Sequence, residues 1–121
     1  MQIHSDIGHL QVDKTLVSIG KYDALHLGHK LILESLVARA KESNLPAAVV
    51  TFDRHPNHVL NPDHVPVPVL GNSQRQELFE QLGIDILLQL EFNSELANLP
   101  AEEFVQKYLI GGLHAQEVFV G

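Results

Sequence analysis

The sequence predicts an α/β protein built on a Rossmann-like parallel sheet with helices on both faces. Short apolar runs that suit buried strands alternate with helical segments along the chain, and several of these segments end at a glycine, asparagine or proline. Such alternation is typical of parallel strands joined by right-handed crossovers. We treat residues 1–121 as one domain, which is expected to bind ligands beyond the carboxyl ends of its strands.

The first predicted strand and helix occupy residues 15–20 and 28–43. The strand, "TLVSIG", is β-branched and apolar and stops at a glycine. The helix has its apolar residues at the spacing i, i+3, i+4 and i+7, namely Leu33, Leu36, Val37 and Ala40. Asn44 and Pro46 are expected to end it.

The second strand is predicted at residues 47–52, "AAVVTF", whose continuous apolar character indicates cover on both faces. A proline-rich stretch without periodicity follows, over residues 53–73. A loop of this length inside a compact domain usually has a function or is mobile.

The predicted alternation continues with a helix at residues 73–83, a strand at 84–90, a helix at 100–112 and a strand at 116–121. Ser73 is the predicted N-cap of the first of these helices and Gly83 its stop. Pro100 opens the second, and two glutamates in its first turn complement the helix dipole.

Composition restricts the classes of function. The 121 residues carry a net charge of −7, contain no cysteine and are 45% hydrophobic. Disulfides and cysteine-ligated metals are therefore excluded, and the acidic balance argues against non-specific nucleic-acid binding. There is no apolar run of about 20 residues and no signal-peptide pattern. We expect a soluble, cytoplasmic protein with no nucleic-acid or membrane partner; its oligomeric state is left open.

The segment "GKYDALHLGH" joins the first strand to the first helix and holds the predicted site. Its two histidines, His26 and His29, have the spacing His-x-x-His, which brings both rings to the first helical turn. The helix N-terminus favours an anion, and Gly28 lets a ligand approach the backbone. Such donors can stabilise charge that develops on an α-phosphate during nucleotidyl transfer. A phosphate nucleophile is already ionised, so this chemistry needs no general base.

The same segment resembles the G-x-F-D-x-x-H-x-G-H signature of the HxGH nucleotidyltransferases. "TFDRHP" is similar to the T-F-x-P-H-P segment of bacterial FAD synthetases, and the resemblance extends over residues 16–121. The chain therefore resembles the N-terminal FMN adenylyltransferase module of the bacterial bifunctional riboflavin kinase/FAD synthetases.

The resemblance implies adenylyl transfer from ATP, with Mg²⁺, to FMN, giving FAD and pyrophosphate. It implies that the catalytic residues are His26 and His29. The implied ATP-binding residues are Gly20, Tyr22, Asp23, His26, Gly28 and His29. The implied flavin-binding residues are His55, Pro56 and Leu60. No side-chain metal ligands are predicted.

This sequence departs from the family pattern at several positions: Tyr22 replaces the usual phenylalanine, Arg54 replaces the usual proline or polar residue, and Lys21 stands where asparagine is common. Ala24 stands where glycine is common, and the segments that follow V-G in the family, including the kinase barrel, are not among the 121 residues. We therefore expect a C-terminally truncated nucleotidyltransferase domain. The alternatives are another HxGH cytidylyl- or adenylyltransferase, a non-catalytic nucleotide- or flavin-binding relative, and an inactive fragment of a longer FAD synthetase.

Overall fold

A computed structural model describes residues 1–22, 27–53, 60–64 and 71–120. Its five strands are β1 (Gln2–His4), β2 (Thr15–Ile19), β3 (Ala47–Phe52), β4 (Ile86–Leu90) and β5 (Ala115–Val120). Its α-helices are α1 (Leu27–Ser43), α2 (Asn72–Leu82), α3 (Ser94–Ala97) and α4 (Ala101–Phe104). A 3₁₀ turn at Pro62–His64 and a π-helix at Val105–Gly112 complete the described elements.

The strands form one parallel sheet in the order β1-β4-β3-β2-β5. From β2 the chain steps outward through β3 to β4, and then crosses back to place β5 on the other side of β2. The direction of winding therefore reverses between β2 and β5. The carboxyl ends of these two strands mark the switch point at which open α/β sheets bind ligands.

Alternate residues of the central strands point to opposite faces of the sheet. One face packs beneath α1 and α2 with Leu16, Val49 and Leu87. The other packs beneath the π-helix with Val17, Val50 and Leu88. All six side chains are buried, which confirms the prediction that the apolar strands are covered on both sides.

Helix α1 begins and ends close to its predicted bounds. It starts at Leu27, one residue earlier than predicted. Asn44 follows the helix with a positive φ of 54°, a left-handed conformation that asparagine tolerates well. The Leu45 amide donates back to the Ala40 carbonyl at 2.9 Å. The predicted stop at Asn44 is confirmed.

Helix α2 differs from the prediction at its start. The predicted N-cap, Ser73, is wrong: the helix begins at Asn72, with Gly71 as its N-cap. The Gln74 side chain reaches back and accepts a hydrogen bond from the Gly71 amide at 2.9 Å. The backbone amide at the start of the helix is therefore paired with this glutamine and not with a serine side chain. At the other end Gly83 has a φ of 96°, which confirms it as the stop.

The helix predicted at residues 100–112 changes type along its length. Pro100 is its N-cap, α4 ends at Phe104, and Val105–Gly112 continues as a π-helix. A Cβ on the buried Gly112 would lie 2.6 Å from Cγ2 of Ile7, so glycine lets this helix end pack tightly against the N-terminal segment.

Two strands differ from the predicted alternation. Strand β1 was not predicted, because three residues are too few for a periodic signal; it pairs with β4 at the edge of the sheet. Strand β4 starts at Ile86 rather than Ile84, because the Ile84 amide donates to Phe79 of α2 and closes that helix. The next residue, Asp85, accepts the Ala47 amide at 2.9 Å and ties the start of β4 to β3.

Candidate functional site

The chain leaves β2 at Gly20 and enters α1 near Gly28 and His29, at the switch point of the sheet. Of the predicted nucleotide-site residues, the structure describes Gly20, Tyr22, Gly28 and His29. Asp23 and His26 lie outside the described residues.

Gly20 is required by the packing of the loop that follows β2. A Cβ at this position would lie 2.8 Å from Cε2 and 3.0 Å from Cζ of the Tyr22 ring. Real Cβ atoms are not found this close to another heavy atom, so any other residue would displace the ring. The glycine therefore has a reason in the fold, in addition to the role predicted for it in ligand binding.

Tyr22 is a buried support beneath this loop. Its side chain is 1% exposed, and its hydroxyl is hydrogen-bonded to the Ser18 hydroxyl. Its ring makes edge-to-face contacts with His29 at 5.2 Å and with Phe79 of α2 at 5.7 Å between centroids. With its ring buried, Tyr22 would serve nucleotide binding through its backbone or by orienting His29.

The backbone of Tyr22 is in an unfavourable conformation. Its φ of 49° lies in the left-handed region, which is costly for residues other than glycine, asparagine and aspartate. Such a conformation persists only where the surrounding structure enforces it, and it occurs most often at functional sites.

Arg75 of α2 is hydrogen-bonded to the backbone on both sides of this strained residue, and it was not predicted from the sequence. Its side chain is 4% exposed. One terminal nitrogen, Nη1, donates to the Lys21 carbonyl at 2.8 Å and to the Tyr22 carbonyl at 3.4 Å. The other, Nη2, donates to the Phe52 carbonyl at 2.7 Å. The position of Arg75 in the sequence was the one indication of a special role. A cation in the first turn of a helix is unfavourable next to the positive end of the helix dipole, so compensating hydrogen bonds are expected there.

The start of α1 has the character of an anion site. Its first turn contains no acidic residue, so no carboxylate there neutralises the positive end of the dipole. Gly28 is exposed, and a Cβ there would meet no atom of the described residues within 4 Å. His29 is half-buried, with its ring held against Tyr22. This local positive feature contrasts with the net charge of −7.

The remaining predicted residues are only partly described. His55 and Pro56 lie outside the described residues. Leu60 is described and is 64% exposed, so its side chain is available to a ligand. Within residues 1–22, 27–53, 60–64 and 71–120, no group of three or more His, Asp or Glu side chains could hold a metal ion. None of the helices in this part of the chain is long and apolar enough to cross a membrane.

The buried Tyr22 hydroxyl predicts a dependence of stability on alkaline pH. Burial raises the pKa of this hydroxyl above its ordinary value of 10.0, and the hydrogen bond with Ser18 offsets part of the rise. The folded state thus holds the proton more tightly than the unfolded state. The contribution to stability is complete below about pH 10 and is lost as the pH rises through the folded pKa.

The variant Tyr22→Phe tests this dependence in thermal melts at neutral and alkaline pH. At neutral pH we expect a loss of about 1 kcal/mol, because the hydrogen bond is removed and the Ser18 hydroxyl loses this buried partner. Above about pH 10 the melting temperature of the parent chain should fall more steeply than that of the variant. If the melting temperatures of the two proteins fall equally as the pH rises, the raised pKa of the Tyr22 hydroxyl would be contradicted.

Comparisons with known proteins agree with the predicted family. Residues 9–121 match the family described as FAD synthetase. A bifunctional riboflavin kinase/FMN adenylyltransferase from Bacillus subtilis is 34% identical over 109 residues, which are 89% of this chain and 34% of the relative. The Pseudomonas fluorescens protein of the same name is 36% identical over 106 residues, again 34% of its length. The chain thus spans about a third of the length of these curated relatives.

A solved structure supports the fold. A protein from Streptococcus pneumoniae, described as a macrolide-efflux protein, superposes with a TM-score of 0.86 and 27% identity. The match covers 100% of this chain and 48% of that one. The α/β fold with a parallel sheet is confirmed, and the match over residues 9–121 shows that the chain belongs to the FAD synthetase family.

Proposed function

We propose that this chain binds ATP·Mg at the start of α1 and transfers its adenylyl group to FMN. The observation that carries the proposal is the arrangement of Gly20, Tyr22 and His29. It places a supported imidazole at a dipole-positive helix start, at the switch point of the sheet. The curated relatives named as FMN adenylyltransferases identify FMN as the acceptor to test.

The reaction joins two phosphates. An ionised phosphate oxygen of FMN attacks the α-phosphorus of ATP, a new phosphoanhydride bond forms, and the bond to the β-phosphate oxygen breaks. The products are FAD and pyrophosphate. Magnesium enters with the triphosphate as part of the substrate complex.

The chain contributes binding and charge stabilisation. His29 would donate a hydrogen bond to the phosphate oxygens, and the backbone amides at the dipole-positive start of α1 would favour the same negative charge. Gly28 would let those oxygens approach the backbone. His26 and Asp23 are proposed to complete the nucleotide site. His55, Pro56 and Leu60 are proposed to contact the flavin.

An FAD-formation assay on the 121-residue chain tests the proposal. Purified chain is incubated with ATP·Mg and FMN, and FAD and pyrophosphate are both measured. Equal amounts of the two products are expected, with no turnover when CTP replaces ATP. ATP binding without FAD formation would instead favour a non-catalytic nucleotide-binding module. Activity with CTP but not ATP would favour a cytidylyltransferase.

A further inference from the structure

We propose that Arg75 is a positioning residue that fixes the entry to the His26–His29 segment and couples it to the end of β3. The consequence for catalysis rests on the proposed adenylyl transfer. The placement of the His29 ring by Arg75 does not depend on that function.

The guanidinium group of Arg75 bridges two segments that are far apart in sequence. Its Nη1 holds the carbonyls of Lys21 and Tyr22, which lie 54 and 53 residues away along the chain. Its Nη2 holds the Phe52 carbonyl at the end of β3 and the Asn72 side-chain oxygen at 2.8 Å. A planar fork with donors in fixed directions suits this bridge, which a single ammonium group could not reproduce.

A second donor supports the same peptide. The Thr51 hydroxyl donates to the Lys21 carbonyl at 2.8 Å and lies 3.4 Å from Nη1 of Arg75. The Lys21 carbonyl therefore accepts two hydrogen bonds, one from a neighbouring strand and one from α2. This double support holds Tyr22 in its left-handed conformation.

The position of Tyr22 is transmitted to His29 by direct contact. The Tyr22 ring lies edge-on against the His29 ring, and no Cβ at Gly20 blocks its place. If the carbonyls of residues 21 and 22 lose Arg75, the Tyr22 backbone can relax out of its costly conformation. The Tyr22 ring would then move, and His29 would lose the surface against which it is oriented.

The bridge also links the two halves of the proposed site. Residues 20–22 lead into the nucleotide-binding segment, and Phe52 leads into the loop proposed to contact flavin. One side chain therefore sets the spacing between the two points, Tyr22 and Phe52, from which these segments continue. Misplacing reacting groups by about 1 Å can lower a rate by about a hundredfold. We expect Arg75 variants to lower kcat more than they change either KM.

The experiment compares Arg75→Met and Arg75→Lys with the matched control Arg39→Met. Arg39 is an exposed arginine on α1 that pairs with Glu117 of β5 at 3.2 Å, away from the loop after β2. The first readout needs no ligand: nuclear Overhauser contacts between the Tyr22 and His29 rings, together with the His29 ring chemical shifts. The second readout is the kcat and KM of FAD formation.

In Arg75→Met we expect loss of the ring contact, a shift of the His29 signals, and a kcat at least about tenfold lower with KM values changed less than about threefold. In Arg75→Lys we expect an intermediate kcat, and in Arg39→Met values like those of the parent chain. In Arg75→Ala, millimolar guanidinium should restore part of the lost rate, and tetramethylammonium should not.

Unchanged ring contacts and an unchanged kcat in folded Arg75→Met would overturn the proposal. If that variant does not fold, the same result in Arg75→Lys would overturn it. A kcat loss that only follows the unfolded fraction, with no guanidinium rescue, would also overturn it. A parent chain that forms no FAD refutes the proposed function, and the ring contacts then decide the role of Arg75 by themselves.

Discussion

Replacing His29 with alanine is expected to lower the rate of FAD formation about a hundredfold or more and to remove ATP binding, while leaving the fold intact. The ring stands at the dipole-positive start of α1, where the first turn has no acidic residue. Removing one preorganised donor to a developing phosphate charge typically costs a hundredfold or more in rate, about 3 kcal/mol. ATP affinity is measured by isothermal titration, and the rate by FAD release.

The matched control for this variant is His9→Ala. His9 is an exposed histidine of the N-terminal segment, outside the proposed site. The His9→Ala variant should bind ATP and form FAD as the parent chain does. For His29→Ala, the edge-to-face contact with Tyr22 is worth about 1 kcal/mol, so the loss of melting temperature should be small. Unchanged ATP affinity in a folded His29→Ala would exclude His29 from the phosphate site.

Phe79→Ala is expected to cause the largest loss of stability. The Phe79 ring is fully buried between α2 and the sheet, and it packs edge-on against Tyr22. Truncating a buried phenylalanine usually costs about 3–5 kcal/mol, because both the burial of the ring and the packing around it are lost. A small domain is stable by only about 5–15 kcal/mol in total, so this variant should be partly unfolded at physiological temperature.

Urea denaturation of Phe79→Ala beside Leu31→Ala measures this effect. Leu31 lies exposed on α1, and its truncation should change the free energy of unfolding by less than about 0.5 kcal/mol. The Tyr22 ring loses a neighbour in Phe79→Ala, so FAD formation by the folded fraction should also fall. A loss below about 1 kcal/mol for Phe79→Ala would show that the ring does not anchor the layer between α2 and the sheet.

The parts of the fold that depend on local pattern could be predicted from the sequence. Strand β2 and helix α1 follow from an apolar run, a helical period and a stop at Asn44, and each of these signals is local in the sequence. The stop of α2 at Gly83 is equally local, since a left-handed φ favours glycine.

The parts that depend on distant partners could not be predicted. Strand β1 exists because Gln2–His4 pairs with β4, more than 80 residues away. The π-helix at Val105–Gly112 has the same apolar character as an α-helix, and only its hydrogen bonding distinguishes it.

The residues of the candidate site also separate into those that a local motif predicts and those that depend on distant contacts. Gly20, Gly28 and His29 lie in one short motif, and the prediction that they belong to the site rests on that motif alone. Arg75 acts on residues more than 50 positions earlier, so no spacing in the sequence links it to the site. The burial of the Tyr22 ring likewise follows from packing against α2, and not from the motif.

The most direct test of the central claim is a nuclear magnetic resonance titration of the ¹⁵N-labelled chain with ATP·Mg. The amide signals of Gly20, Gly28 and His29 are expected to shift most, because these residues surround the start of α1. The amides of Asn44 and Gly83, near the starts of β3 and β4 at the opposite edge of the sheet, should stay in place. Shifts centred on Asn44 or Gly83, or no shifts at all, would contradict a phosphate site at the His26–His29 segment.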